Sequence, residues 1–513
     1  MFIHFGIYSI PADGEWHMRN RKQSVADYSR YAAEFDPTNF NADAWMSLAH
    51  DAGMKFIVIT AKHHDGFAMF KSAASKYNIV DASPFKRDVV KELAEACPRH
   101  GIRFGVYYSA MTDWGHKGGW AGCPKWDPAA QDGDIHQYIR TLMVPQLKEL
   151  LTHYGPVSVM WFDNDSPTYP PLAPEEMKQV TDLLLLQPEI VVDGRLNGLA
   201  GDFASQEEVM PILPRSEKYW EYCVTINGNW GFSPAKAKPF PLLLRDLITV
   251  WGWGGNVLLN VGPNSEGQIP EESCKVLRQI GAWMTRNGEA VYGTERGPLA
   301  FVPWGTATRK GDIIYLQVFH WPKDGLLTVP VAATPVDAWV ITDPAKTRLP
   351  VDAKANRLVI HVPDHCPDPV ASVLALRIAG NPVASYARFK GMVTTSDGEE
   401  LSNSNSYSVS DTIKAWQEVP ATGSISIDLE KSQLISVCRI GIVKKWGDND
   451  EMKNAILEAK QGGVWKTIMK GIALQGGANV ITFPPVQARE MRFSFTDMHA
   501  IGEVNDFAVY PPL

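Results

Sequence analysis

A chain of 513 residues exceeds what one hydrophobic core organises, so two to four domains are expected. Its composition, 45% hydrophobic and 21% charged, is that of a globular protein, and no apolar run is long enough to span a bilayer. A formal net charge of −8 with no basic stripe excludes nucleic acid as a natural partner.

Strand–helix alternation dominates as far as Gly293. The candidate strands are "MFIHFGIYS", "MKFIVITAKHH", "IRFGVYYS", "VSVMWFD", "EIVVDGR", "YWEYCVTI" and "NVLLNVGP". Between them lie the helical stretches "NADAWMSLAHDAG", "RDVVKELAEACPRHG", "IHQYIRTLMVPQLKELLTHYG" and "PEEMKQVTDLLLL". The strands read as near-continuous apolar runs, the pattern of a sheet covered on both faces. Alternation sustained over nearly 300 residues predicts an α/β fold with a (β/α)8-like barrel over 1–293.

After Gly293 the helix signal disappears. "DIIYLQVFHW", "LLTVPV", "DAWVITD", "RLVIHVP" and "SVLALRI" predict a small all-β sandwich over 294–380. "SISIDLE", "SVCRIGIV", "NAILEAK", "VWKTIMK", "ANVITFPPVQAREMRFSFTD" and "VNDFAVYPP" predict a second all-β sandwich over 381–513. The Ser/Asn-rich "TTSDGEELSNSNSYSVS" reads as a linker or surface loop. Cys97, Cys123, Cys223, Cys274, Cys366 and Cys438 are scattered without C-x-x-C spacing, so neither a thiolate zinc site nor a disulfide framework is expected.

In a parallel barrel the chemistry sits where strands end at the C-terminal face. Collecting the polar residues at those ends gives His4, then Glu15 and Trp16 in the following loop, then His63, His64 and Asp65. The series continues with Trp161 and Asp163, Arg195, Glu207 and Glu208, and finally Trp220 and Glu221. Each taken alone reads as an ordinary structural residue, but their accumulation at one end, mixed with tryptophan, does not.

Two chemistries fit the set. In metal-assisted hydrolysis His4, His63, His64 and Asp163 would be ligands. Adjacent histidines on a strand point to opposite faces, however, and no H-x-H pair is present. In glycoside hydrolysis Asp163 at a rigid strand end would be the nucleophile and Glu207, on the next loop, the acid/base. Arg195 would keep Asp163 ionised, the histidines would bind hydroxyl groups, and Trp16 and Trp161 would stack on the sugar. A barrel that binds carbohydrate without catalysis is the third alternative.

"FIHFGIYSIPADGEW", "KFIVITAKHHDGFAMF", "KRDVVKEL", "FGVYYS", "VMWFDN", "DFASQEE" and "GGNVLLNVGPNSEGQIP" together resemble the α-L-fucosidases of glycoside hydrolase family 29, in the family's order. The resemblance implies a retaining exo-glycosidase without metal or cofactor that takes terminal α-L-fucosyl residues from a fucosylated oligosaccharide or glycoconjugate. It places the nucleophile at Asp163 and the acid/base at Glu207, with Glu208 and Glu221 as alternatives. It assigns His4, Glu15, Trp16, His63, His64, Trp161 and Arg195 to sugar binding. An apolar contact to the fucose methyl group falls to Phe5, Phe67 or Phe232, and a related L-sugar is the alternative substrate. The chain departs from the family pattern at Asn164 and Asp165, which follow the nucleophile and add a carboxylate near it. The segment that usually precedes the first strand is missing, so an extracytoplasmic protein lacking its N-terminal signal is expected. The last domain resembles a discoidin-like (F5/8 type C) module, for which carbohydrate binding is implied.

Overall fold

The computed structural model describes residues 1–122, 125–163, 171–211, 214–395, 400–401, 423–444, 452–474, 477–495 and 501–513. These fall into two compact units. One comprises Met1–Ser205, Tyr219–Leu243 and Val257–Arg286, and the other Gln206–Lys218, Leu244–Asn256 and Asn287–Leu513. Asn164 and Asp165, Cys123 and most of the Ser/Asn-rich stretch lie outside the described residues.

The barrel strands are β1 (Phe2–Ile3), β2 (Phe56–Lys62), β3 (Arg103–Tyr108), β4 (Val159–Phe162), β5 (Val191–Val192), β6 (Ala204–Glu207), β7 (Trp220–Thr225) and β8 (Asn256–Val261). They form one sheet in the order β5-β4-β3-β2-β1-β8-β7-β6. The registers from β8 through β1 to β5 are parallel. The two edge strands then meet. Asp202 N donates to Val192 O, Gly194 N donates to Phe203 O, and Asp193 bridges Phe203 in parallel. That seam curls the sheet on itself, as a (β/α)8-like barrel requires. Inward alternate residues fill its interior: Phe2, Val58, Tyr107, Val159, Trp161, Cys223 and Leu258, with Trp230 from the loop after β7.

The four expected helices form, and each starts for a local reason. Helix Ala42–Asp51 opens on Asn41, whose Oδ1 accepts Ala44 N. Helix Val89–Arg99 opens on Asp88, whose Oδ1 accepts Lys91 N, and buries Val89, Val90, Leu93, Ala96 and Cys97 on one stripe. Two further helices, Phe240–Gly252 and Glu271–Asn287, follow β7 and β8. The first is apolar almost all round, so its periodicity is hidden in the sequence.

β2 ends in an irregularity that decides where the following residues point. Its register against β3 shifts between Thr60 and Lys62. Beneath the bulge, Lys62 Nζ donates to Asp113 Oδ2 at 2.8 Å and contacts Tyr138 Oη at 2.7 Å, all without solvent exposure of the ion pair. Lys62→Met would leave Asp113 buried without its ammonium partner, a loss of about 3–5 kcal/mol. Urea unfolding of the variant is expected to show that drop in stability.

The second unit is antiparallel. A five-stranded sheet (Val331–Val340, Ser372–Ala384, Ile313–Val318, Gly305–Lys310, Glu295–Arg296) accompanies a three-stranded one (Leu326–Val329, Arg357–His361, Val351–Lys354). They share a core that includes Leu316, Val329, Leu358, Ile360 and Leu374. A further sheet is built on the long strands Gly423–Lys444 and Gly477–Phe495. Its core contains Ile427, Ile440, Leu457, Met491 and Phe493. Where the two meet, Arg439 is fully buried on Asp506 at 2.8 Å, and Phe301 packs on Tyr510 at 4.5 Å. Among the described residues no helix is long and apolar enough to cross a membrane.

Candidate active site

The ends of β1 to β5 bring His4, His63, His64, Trp161, Asp163 and Arg195 into one neighbourhood. Asp163, one residue past β4, is held at both oxygens. Arg195 Nη2 donates to Oδ1 at 2.6 Å and Tyr107 Oη donates to Oδ2 at 2.8 Å. Burial alone would push this carboxyl up, but the permanently charged guanidinium outweighs it and holds Asp163 below its ordinary value. Each oxygen therefore has one donor and keeps lone pairs for chemistry.

Trp161 supports that pair from below. Its ring lies 4.7 Å from the Arg195 guanidinium carbon and stacks on Tyr107 at 5.4 Å. Its indole nitrogen donates to Glu221 Oε1 at 3.0 Å. Glu221 is thus buried behind Trp161, inside the barrel, and burial raises its carboxyl to about 7.

The histidines are fixed as neutral groups with definable tautomers. Asn260 Nδ2 donates to Trp230 O, so its Oδ1 is the acceptor facing His4 Nδ1 at 2.7 Å. His4 therefore carries its proton on Nδ1 and turns a bare Nε2 away. Ser109 spends its own proton on Thr112 O, so its oxygen accepts from His64 Nδ1 at 2.6 Å. His64 Nε2 is then a second bare acceptor, 3.5 Å from Asp163 Oδ2. Burial lowers His4 to about 3 and His64 to about 4, and takes His63 well below the ordinary value. His63 stacks on Tyr107 at 5.3 Å, and its buried Nδ1 has no hydrogen-bond partner.

The adjacent histidines converge because β2 has ended before them. The chain turns through Gly66, whose N donates to His63 O and whose φ is +79°. A Cβ there would stand 2.4 Å from Asp113 Oδ1, so only glycine fits.

The remaining residues are placed more variously. Glu15 is buried and its Oε2 accepts Gly231 N at 2.7 Å, bracing the loop after β7. Trp16 packs edge-on to His64 and Trp114, each at 5.3 Å. Glu207 is the last residue of β6, a strand in place of the expected loop. Two-residue alternation puts Ser205 and Glu207 on one side of the strand. Gln206 takes the other side, where the buried Arg215 Nη1 donates to its Oε1 at 2.6 Å. Glu208 follows the strand with φ +53°, off the alternation. Glu207 and Glu208 belong to the second compact unit.

Two expected contacts are corrected. Phe5 is fully buried among Phe35, Phe40 and Trp45, and Phe67 packs between Phe35 and Tyr77. Both are occupied in the packing around the barrel strands rather than facing the site. Phe232 is half-buried. Tyr107 and the orienting residues Asn260 and Ser109 were missed. The available signal was a polar residue, Asn260 or Ser109, in or directly after an otherwise apolar strand. Among the described residues no three His, Cys, Asp or Glu side chains converge as a metal-holding group.

A family model described as alpha-L-fucosidase matches residues 1–289. An α-L-fucosidase of Dictyostelium discoideum is 26% identical over 409 residues, covering 71% of this chain and 86% of that protein. The crystal structure of an α-L-fucosidase from Vibrio sp. strain EJY3 superposes with a TM-score of 0.72 at 25% identity, over 100% of this chain and 96% of that one. A Bacteroides thetaiotaomicron GH29 α-L-fucosidase was captured as a covalent intermediate with 2-fluoro-fucosyl fluoride. It superposes with a TM-score of 0.66 at 27% identity, over 74% of this chain and 93% of that one.

Proposed function

The chain belongs to the α-L-fucosidase family, and from that premise we propose that Asp163 is the nucleophile and Glu207 the general acid/base of a retaining hydrolysis of terminal α-L-fucosides. The observation that carries the reading is Asp163 itself. It is an ionised carboxylate at a rigid strand end, tied by Arg195 and Tyr107 and ringed by neutral histidines.

In the first step an Asp163 oxygen attacks the anomeric carbon and the glycosidic C–O bond breaks. The bonding pair goes to the aglycone oxygen, which takes the proton of Glu207. In the second step Glu207, now a carboxylate, removes a proton from water. The water oxygen then displaces Asp163 from the anomeric carbon. Two displacements return the original configuration.

The bare Nε2 atoms of His4 and His64 accept sugar hydroxyl protons. His64 Nε2 and Asp163 Oδ2 are two acceptors facing each other across 3.5 Å, an arrangement that calls for a donor between them. A sugar O–H supplies it. Trp16 provides an apolar wall, and Arg195 serves both substrate and nucleophile. The expected fucose-methyl contact rests on Phe232. The last domain is read as discoidin-like and carbohydrate-binding, and the protein as extracytoplasmic.

Two predictions follow from the charges. Tyr107→Phe removes one of two donors to Asp163, so kcat should fall about 10- to 100-fold and the acid limb of its pH profile should move up. In the wild type kcat/KM should fall on the acid side only near pH 4. There His64 takes up a proton and ceases to accept, while Asp163, held below its ordinary value by Arg195, keeps its charge. An acid limb near pH 6.5 would mean that a histidine titrates as in free solution.

A further inference from the structure

Asp193 lies behind the nucleophile and takes no part in the steps above. Its side chain has no solvent exposure, its Oδ1 accepts Phe162 N at 3.0 Å, and its Oδ2 has no hydrogen-bond partner. A buried carboxyl with an unsatisfied oxygen is costly, so its presence needs a reason.

The barrel seam supplies one. The β4–β5 ladder pairs Met160 with Val192, and Asp193 N donates to Met160 O at 3.3 Å. In an evenly spaced parallel ladder the next rung would run from Phe162 N to the Asp193 backbone carbonyl. At this point the chain leaves β4 to close the barrel, and Asp193 pairs with Phe203 of the β6 side. The Asp193 side chain takes over the lost rung. Two residues on, Arg195 holds the Asp163 carboxylate. The segment Asp193–Arg195 therefore grips consecutive residues of the β4 end, the Phe162 peptide with one side chain and the Asp163 carboxylate with another.

We propose that Asp193 is a positioning residue for the nucleophile: by replacing the missing ladder rung at Phe162 it fixes where the Asp163 carboxylate stands against Arg195 and Tyr107. The inference rests on Asp163 being the nucleophile. Burial drives the Asp193 carboxyl well above its ordinary value, favouring the uncharged form. It adds no second negative charge among Asp163, Glu221 and Arg195. Asparagine, neutral and of the same shape, keeps the accepting oxygen.

The test compares Asp193→Ala and Asp193→Asn for kcat, KM and the acid limb of kcat/KM, with thermal unfolding as the control for folding. Alanine is expected to lower kcat about 10- to 100-fold, change KM much less, and move the acid limb up as Asp163 drifts from Arg195. Asparagine is expected to recover most of kcat and the wild-type acid limb. If the alanine variant does not fold, Asp193→Ser, whose hydroxyl is one bond short of Phe162 N, takes its place. A folded alanine or serine variant with kcat within about twofold of wild type overturns the proposal. So does an asparagine variant as impaired as alanine, and so does a lower melting temperature with an unmoved acid limb. Wild-type protein labelled with 2-fluoro-fucosyl fluoride separates the two levels. Label on Asp163 with any of these three failing patterns rejects only the positioning role, whereas label elsewhere rejects the nucleophile assignment beneath it.

Discussion

Asp163→Ala is expected to lower kcat on 4-nitrophenyl α-L-fucoside by about 10⁴-fold, roughly 5.5 kcal/mol of lost transition-state stabilisation. The loss should fall on kcat, because the site's shape is supplied by His4, His64, Trp161 and Arg195, all of which remain. Removing the carboxylate also leaves Arg195 and Tyr107 without their shared acceptor, so some local rearrangement is built into the effect. The sharper readout is azide. A small anion can enter the space left by the side chain and displace the aglycone in a single step. One displacement inverts, so the product should be the β-L-fucosyl azide. Activity within about tenfold of wild type would remove Asp163 from the mechanism.

Glu207→Ala should behave differently in kind. General acid/base catalysis contributes about 10²- to 10⁴-fold, and the loss should grow as the leaving group becomes more basic. An activated aryl fucoside needs little protonation and should lose least, whereas a fucosyl-oligosaccharide should lose most. Azide then acts on the covalent intermediate, after one displacement has already occurred. The product should be the α-L-fucosyl azide. Glu208→Ala should change little, since Glu208 lies past the end of β6 and off its alternation. Should Glu208 or Glu221 instead give the leaving-group dependence and azide rescue, the acid/base assignment moves there.

Much of this architecture is legible in the sequence because burial on both faces writes long apolar runs. β2, β3, β4, β7 and β8 all fall where "FIVITAK", "RFGVYY", "VMWF", "WEYCVT" and "NVLLNV" place them. β6 was not legible. Its residues Ala204 to Glu207 are small or polar and half-buried on both sides, so no apolar pattern marks them, and only the pairing with β7 makes them a strand. "MFIHFGIYS" promises a long strand but delivers two residues before the chain turns into a single 3-10 turn at Ile7–Ser9.

The site divides along the same line. Charged and imidazole side chains at strand ends stand out against apolar strands, which is why Asp163, His63 and His64 could be picked from the sequence. Tyr107 could not, since an aromatic residue in a strand reads as core. Nor could the roles of Asn260, Ser109 and Asp193. Each acts by orienting something contributed from a distant stretch of chain: His4, His64 and the Phe162 peptide.

The most direct test of the whole account is to incubate the wild-type protein with 2-fluoro-fucosyl fluoride and locate the covalent label by peptide mass spectrometry. The account predicts one fucosyl group per chain on Asp163, formed equally well with EDTA present. Label on another carboxylate, no label despite measurable fucosidase turnover, or labelling abolished by EDTA would contradict it.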